Sequence, residues 1–155
     1  MKRVLFICTG NICRSPTAEG VARAMIDAAG ADVEVDSAGI QGLHAGEAPD
    51  PRSQRAAKLR GYELGKLRAR KLVAADFELF DLLVAMDRGH LAHMKRICPP
   101  GHAAKLHLFR DFIAEGIGLD VPDPYYGGEA GFEHVLDLCE DGVTAMLAAI
   151  KAGKL

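Results

Sequence analysis

Apolar positions change period several times along the chain, and the changes predict strands alternating with helices. Val4-Leu5-Phe6-Ile7 is a short, wholly apolar run that reads as a buried central strand, and Ser15-Pro16 is a helix-start signal, with Ser as cap and Pro in the first turn. From Pro16 to about Ala29 the residues Ala18, Val21, Ala22, Met25, Ile26 and Ala29 fall at helical spacing, and Gly30 is placed to end that helix. Glu19 lies in its first turn, where a negative charge favours the positive helix end. Val33-Glu34-Val35-Asp36-Ser37 alternates and reads as a second strand, closing a parallel, right-handed strand-helix-strand unit. Asp50-Pro51 starts a second helix through Leu59, which Gly61 ends. The third strand is Asp81 to Met86, and Asp87 caps a helix carrying Leu91, Met94 and Ile97 that stops at Pro99-Pro100. Lys105 to Phe109 reads as the fourth strand. The last helix runs from about Glu129 to Lys151, with Phe132, Val135, Leu136, Cys139, Val143, Met146, Leu147 and Ile150 on one stripe. The predicted fold is α/β: one domain over residues 1–155, a four-stranded parallel sheet with helices on both faces and the first strand in the middle.

Composition supports a single core, since 49% of 155 residues are apolar. A formal net charge of −2 with both signs interspersed gives no reason to expect nucleic acid or an anionic membrane as partner. There is no long apolar span, and the apolar run after Met1-Lys2-Arg3 is too short for a secretion signal, so a cytoplasmic, monomeric protein is expected. Cys8, Cys13, Cys98 and Cys139 lack paired spacings, which makes reduced thiols the default, with Cys139 in the core and Cys98 structural. His90 and His93 share a helix face without a third ligand in view, so they read as surface histidines and no metal is expected.

Candidate chemistry concentrates between the first strand and the first helix, in Cys8-Thr9-Gly10-Asn11-Ile12-Cys13-Arg14-Ser15. Small and polar residues let this loop curl until several N–H groups face one centre, a nest for an oxyanion. The helix N-terminus adds positive charge, and the Arg14 guanidinium adds a planar fork that matches two phosphate oxygens. A thiol on the floor of such a bowl is expected to lose its proton readily, making Cys8 a nucleophile aimed at phosphorus. A lone cysteine at a strand end is ordinarily an inert core residue. Here five residues separate Cys8 from Arg14, an apolar strand precedes them and a helix start follows, and no lysine of a nucleotide-binding loop is present.

A second chemical stretch is Val121-Pro122-Asp123-Pro124-Tyr125-Tyr126-Gly127-Gly128. Expulsion of an alkoxide or phenoxide needs a proton donor, and Asp123, fixed between two prolines, suits that role, although Asp-Pro is also a common turn dipeptide. Tyr125 and Tyr126 are suited to flank a flat aromatic substrate. Asp120 is a weaker candidate acid. Ser37 is either a turn hydroxyl or a partner of the loop. The segment from Ile40 to Pro51 forms the rim of the site, and Lys66, Arg68, Arg70 and Lys71 read as a solvated cluster that could attract acidic residues.

The run from Cys8 to Pro16 resembles the signature of the low-molecular-weight protein tyrosine phosphatases. Asp123-Pro124-Tyr125-Tyr126-Gly127 resembles the general-acid loop of that family, with Ser37-Ala38-Gly39 and Met86-Asp87 as further anchors. The resemblance implies a phosphotyrosine-containing protein as substrate, phosphate or another oxyanion in the site, and no cofactor or metal. It makes Cys8 the nucleophile, Thr9 to Ser15 the phosphate-binding loop with Arg14 as its fork, and Asp123 the acid and then base. Asn11 would shape the loop and Ser15 hydrogen-bond the thiolate, whereas the residues alone support only a cap for Ser15. Leu43, His44, Tyr125 and Tyr126 become cleft walls, and Cys13 a redox partner for Cys8, with a plain packing role as the alternative. Leu67-Arg68 stands where family members often carry a histidine, and Leu43 replaces a frequent aromatic, which leaves substrate preference open. Three rivals share features of this loop. Arsenate reductases of the same fold need two further cysteines close in sequence. Protein-arginine phosphatases carry Thr where Ile12 stands. A non-catalytic phosphopeptide-binding module could dispense with Cys8 or Asp123.

Overall fold

In the computed structural model, which describes residues 1–155, four strands run parallel in the order β2-β1-β3-β4: β1 (Lys2–Cys8), β2 (Val33–Gly39), β3 (Leu82–Ala85) and β4 (Leu106–Leu108). Five helices complete the fold: α1 (Arg14–Ala29), α2 (Pro51–Leu59), α3 (Asp76–Leu79), α4 (Arg88–Ile97) and α5 (Glu129–Lys151). β1 is apolar throughout its middle because both of its faces are covered. Val4, Phe6 and Cys8 point into one core with Val21 and Ala22 of α1 and Leu136, Val143 and Met146 of α5. Leu5 and Ile7 point into another with Phe77 and Phe80 around α3 and Met94 of α4. The expected α/β architecture, with β1 central and helices on both faces, is the one observed.

Register brings the functional stretches together. Cys8 pairs with Gly39 and Ile7 with Ala85, so β1, β2 and β3 release their chains side by side at the carboxyl edge of the sheet. Helix punctuation follows the local chemistry: Gly30 ends α1 with φ 60°, Asp50 caps α2 by accepting from the Arg52 amide, and Asp87 caps α4 by accepting from the His90 amide.

Several expectations need correction. α1 begins at Arg14 rather than Pro16, and no side chain caps it, because the Ser15 hydroxyl is drawn into the site instead. With α1 starting at Arg14, Glu19 falls beyond the first turn, which holds no acidic residue, and it is buried. β2 continues to Gly39. β4 is only three residues long: Lys105 closes one 3-10 turn, and Phe109 opens another so that its ring meets Phe6 edge-on at 6.1 Å. On α4, Ile97 is exposed, whereas His90, read as a surface residue, is buried. The one-turn α3 carries too few residues to show a period.

Gly39 sits where backbone crosses backbone beside the loop. A Cβ there would lie 2.9 Å from the Thr9 carbonyl oxygen, 3.0 Å from that of Gln41 and 3.1 Å from the Asn11 nitrogen, all of them backbone atoms that cannot swing aside. Gly39→Ala is expected to destabilise the fold by about 1–3 kcal/mol through overpacking, read as a lower urea midpoint at unchanged slope.

Candidate active site

The loop between β1 and α1 owes its shape to where its carbonyls are bound. The Cys8 oxygen accepts from Ile40 N and the Thr9 oxygen from Gln41 N, both at 2.9 Å, and the Ile12 oxygen accepts from Asp50 N at 2.8 Å. The Cys13 oxygen takes the Thr17 amide at 3.3 Å and the Thr17 hydroxyl at 2.7 Å. No amide from Thr9 to Cys13 donates to a backbone carbonyl, so these N–H groups remain as donors for an anion. Asn11 makes the turn in the left-handed region, with φ 59°.

Behind the loop runs a chain of side-chain hydrogen bonds whose direction can be read from its ends. The Glu19 carboxylate accepts from Ser37 Oγ at 2.7 Å, and Ser37 Oγ accepts from Asn11 Nδ2 at 2.9 Å. The other proton of Asn11 Nδ2 goes to Ser15 Oγ at 2.8 Å, and Asn11 Oδ1 accepts from the Arg70 amide at 3.0 Å. Ser15 Oγ also lies 2.9 Å from Cys8 Sγ, with its own proton available to a thiolate there. Burial, partly offset by the bonds from Ser37 and Arg23, raises the Glu19 carboxyl above its ordinary value.

Arg14 is only 4% exposed and faces the cleft from the first turn of α1. Its Nη1 donates to Asp87 Oδ2 at 2.8 Å and to the Val121 carbonyl at 3.0 Å, and Nη2 donates to Thr9 Oγ1 at 3.3 Å. Nη2 also lies 3.7 Å from Asp123 Oδ2. The Asp123 side chain is 42% exposed, and its Oδ1 accepts from the Tyr125 amide at 3.0 Å. Cys8, Arg14 and Asp123 share a cleft of about 220 Å³ whose remaining wall includes Leu43, His44, Tyr125 and Tyr126.

The cleft therefore gathers the residues singled out from sequence, and adds Gln41. Asn11, Ser15 and Ser37 stand behind the loop rather than on the cleft surface. His44 leans over Gly10 and pairs with Glu47 at 3.1 Å, while Leu43 is exposed. The guanidinium of Arg52 lies 5.3 Å from the Tyr125 ring and 4.8 Å from that of Phe132, tying the tyrosine loop to α2. Asp120 is engaged elsewhere: Arg88 grips it through its amide at 2.8 Å and its guanidinium at 3.0 Å, and those bonds hold its carboxyl below the usual range.

Some site residues escaped the sequence reading. Arg70, placed in a solvated cluster, pairs with Asp36 at 3.1 Å and Asp76 at 3.0 Å while its amide holds Asn11. His90 is buried with Nε2 2.8 Å from Thr9 Oγ1. Burial pushes its imidazole down to about 4, and the Arg14 cation adds to this against the pull of Asp87. The signal for it was present in the spacing Asp87-x-x-His90, which sets both side chains in one helical turn beside the loop. Cys13 is also buried, and burial followed by the Asp50 carboxylate pushes its thiol up to about 12.

Comparison with known proteins agrees with this geometry. The family model for low molecular weight phosphotyrosine protein phosphatase matches residues 3–154. A low molecular weight protein-tyrosine-phosphatase of Streptomyces coelicolor is 47% identical over 96% of this chain and 93% of its own. A human low molecular weight phosphotyrosine protein phosphatase is 36% identical over 89% of both chains. A crystal structure of a protein tyrosine phosphatase from Entamoeba histolytica, with Hepes in its active site, superposes over the whole of both chains with a TM-score of 0.95 at 37% identity. With a match that spans the loop, the cleft and the sheet beneath them, the chain belongs to the low molecular weight phosphotyrosine protein phosphatase family.

Proposed function

We propose that this chain hydrolyses phosphotyrosine in proteins, and small aryl phosphates, by two phosphoryl transfers through Cys8. The observation that carries the reading is one cleft in which a cysteine on the floor, a buried arginine and a half-exposed carboxylic acid converge, with Asp123 and Arg14 3.7 Å apart. In the first transfer the Cys8 thiolate attacks phosphorus, the new P–S bond replacing the bond to the aryl oxygen, and Asp123 protonates the departing phenoxide. Arg14 and the free loop amides hold the equatorial oxygens as charge spreads over them. In the second, water attacks the phosphocysteine, Asp123 takes its proton, and inorganic phosphate leaves with the thiolate restored. Ser15 Oγ, 2.9 Å from the sulfur, is placed to donate to the thiolate that leaves in this step.

The remaining cleft residues bear on the substrate. Tyr125, Tyr126, Leu43 and Ile12 offer apolar walls for an aryl ring, and the amoebic relative holds Hepes, a sulfonate-bearing buffer, in its active site. Ile12, without a hydroxyl, favours an aromatic over a guanidino phosphate. Arsenate reduction needs a relay of thiols, and the cysteines are badly placed for one: Cys98 packs on the opposite face of the sheet from Cys8, and Cys139 is fully buried on the core face of α5. Cys13 reads as a redox partner: after a peroxide has oxidised the Cys8 thiolate to a sulfenic acid, the Cys13 thiol condenses with it, forming the disulfide and releasing water.

Phosphate release from a phosphotyrosyl peptide tests the reading. Cys8→Ser is expected to be inactive, and a parallel arsenate-reduction assay is expected to show no turnover. Asp123→Asn is expected to lower kcat about 100-fold or more on the peptide and much less on p-nitrophenyl phosphate, whose leaving group scarcely needs a proton. Equal losses on both substrates would remove Asp123 from acid catalysis. Arg14→Lys keeps the charge but not the fork, and is expected to reduce kcat/KM on the order of 100-fold; near-normal turnover contradicts the proposed contact.

A further inference from the structure

His90 is a buried titratable side chain that the mechanism leaves unused. It stands in the first turn of α4, 6% exposed, with Nε2 2.8 Å from Thr9 Oγ1 and Nδ1 3.2 Å from Asp87 Oδ1. Both of those partners touch the same guanidinium: Asp87 Oδ2 accepts from Arg14 Nη1 at 2.8 Å and Thr9 Oγ1 accepts from Arg14 Nη2 at 3.3 Å. The four side chains close a ring.

The charge facing Nδ1 selects between the two tautomers that the ring could hold. Arginine only donates, so Thr9 Oγ1 accepts from Nη2 and retains one proton of its own. The Asp87 carboxylate only accepts, and its Oδ1 already takes the His90 amide at 2.8 Å. Nδ1 is buried and makes no hydrogen bond of good geometry, and the polar atom it faces is Asp87 Oδ1 at 3.2 Å. A bare lone pair on Nδ1 would face that carboxylate and be repelled, whereas a proton there is attracted to it. Nδ1 therefore carries the proton, Nε2 carries the lone pair, and the Thr9 hydroxyl donates to Nε2. The imidazole has to be neutral for this. Burial and the Arg14 cation keep it so, against Asp87 on its own helix, Asp123 across the cleft and Asp120 beside Arg88.

The ring also decides which part of Arg14 is left for a ligand. Of its five N–H bonds, both on Nη1 are taken by Asp87 and the Val121 carbonyl, and one on Nη2 by Thr9. What remains is Nε–H and the second proton of Nη2, the adjacent pair that bridges two oxygens of a tetrahedral anion.

We propose that His90 is a positioning residue for the phosphate-binding arginine: as the neutral Nδ1–H tautomer it locks the Thr9 hydroxyl and, with Asp87, fixes the rotation of the Arg14 guanidinium so that its free edge faces the cleft. The inference rests on the reading of the loop as a phosphate site, and deepens it.

The tautomer is read directly in the wild-type protein from its imidazole nitrogen shifts between about pH 5 and about pH 7.5. A protonated Nδ1, a bare Nε2 and no titration in that window are expected. A protonated Nε2, or a midpoint near the ordinary 6.5, overturns the proposal. Inorganic phosphate is then titrated against wild type, His90→Ala and His90→Gln. His90→Ala is expected to bind phosphate about tenfold more weakly, with kcat/KM on p-nitrophenyl phosphate falling in the same proportion. His90→Gln, whose amide oxygen can accept from Thr9, is expected to recover most of the phosphate affinity. Unchanged affinity in His90→Ala overturns the proposal, as does a loss that His90→Gln fails to repair. Should His90→Ala not fold, the wild-type tautomer and the His90→Gln affinity still decide. Phosphate binding and tautomer are measured without turnover, so a wild-type protein that binds phosphate but releases none from aryl phosphates defeats the phosphatase reading and leaves the ring standing.

Discussion

The site depends on a backbone constraint before it depends on any side chain. A loop can present several amides to one anion only if its carbonyls are bound elsewhere, because a buried carbonyl without a donor is costly and would otherwise turn inward to find one. Here the donors come from two neighbouring segments. Ile40 and Gln41, leaving the end of β2, take the oxygens of Cys8 and Thr9, and Asp50, at the start of α2, takes that of Ile12. The parallel pairing of β1 with β2 is what brings Ile40 to Cys8, so the sheet register and the anion site are one arrangement. Gly39 lacks a side chain because the two backbones meet there with no room for one.

Two buried polar networks then divide the chemistry between them. Glu19, Ser37, Asn11 and Ser15 form a line that ends on the sulfur of Cys8, and Asp87, His90 and Thr9 form a ring around Arg14. Buried polar groups of this kind are a liability when partly satisfied and confer a unique geometry when complete. Both networks also reach across elements: the first joins α1 to β2, the second joins α1 to α4. A charge introduced at the loop is thereby spread over groups already oriented by the fold, which avoids reorganisation at the moment of reaction.

Legibility in the sequence followed the range of each interaction. Elements set by local chemistry were readable: the apolar run of β1, the Asp50-Pro51 and Asp87 helix starts, the Gly30 stop and the long stripe of α5. Cys8 and Arg14 were readable because one loop carries both. What could not be read was settled by distant partners. Ser15 looked like a cap because Ser before Pro usually is one, yet Asn11 and Cys8 compete for its hydroxyl and win. Arg70 looked solvated within a basic run, but Asp36 and Asp76 fold back onto it. His90 was assigned to the surface from helical spacing alone, and only the packing of α4 against the loop buries it. The Val121 carbonyl, a partner of Arg14, leaves no trace in residue type at all.

The contrast between a buried nucleophile and an exposed acid follows from what each must do in the proposed cycle. Cys8 returns to the same charged state after every turnover, so permanent donors beneath a covered floor suit it. Asp123 has to give up a proton and regain one, and a side chain that is 42% exposed can exchange protons with water as the cleft empties. Exposure would ordinarily mean loose placement. The loop answers this from both sides of the aspartate: Val121 is fully buried and donates its amide to the Met86 carbonyl, Pro124 is buried against Gly131, and Arg52 bridges Tyr125 to Phe132. A carboxylate held by its neighbours rather than by its own burial can face solvent and still meet Arg14, and that combination is what a single residue needs to serve as acid in one step and base in the next.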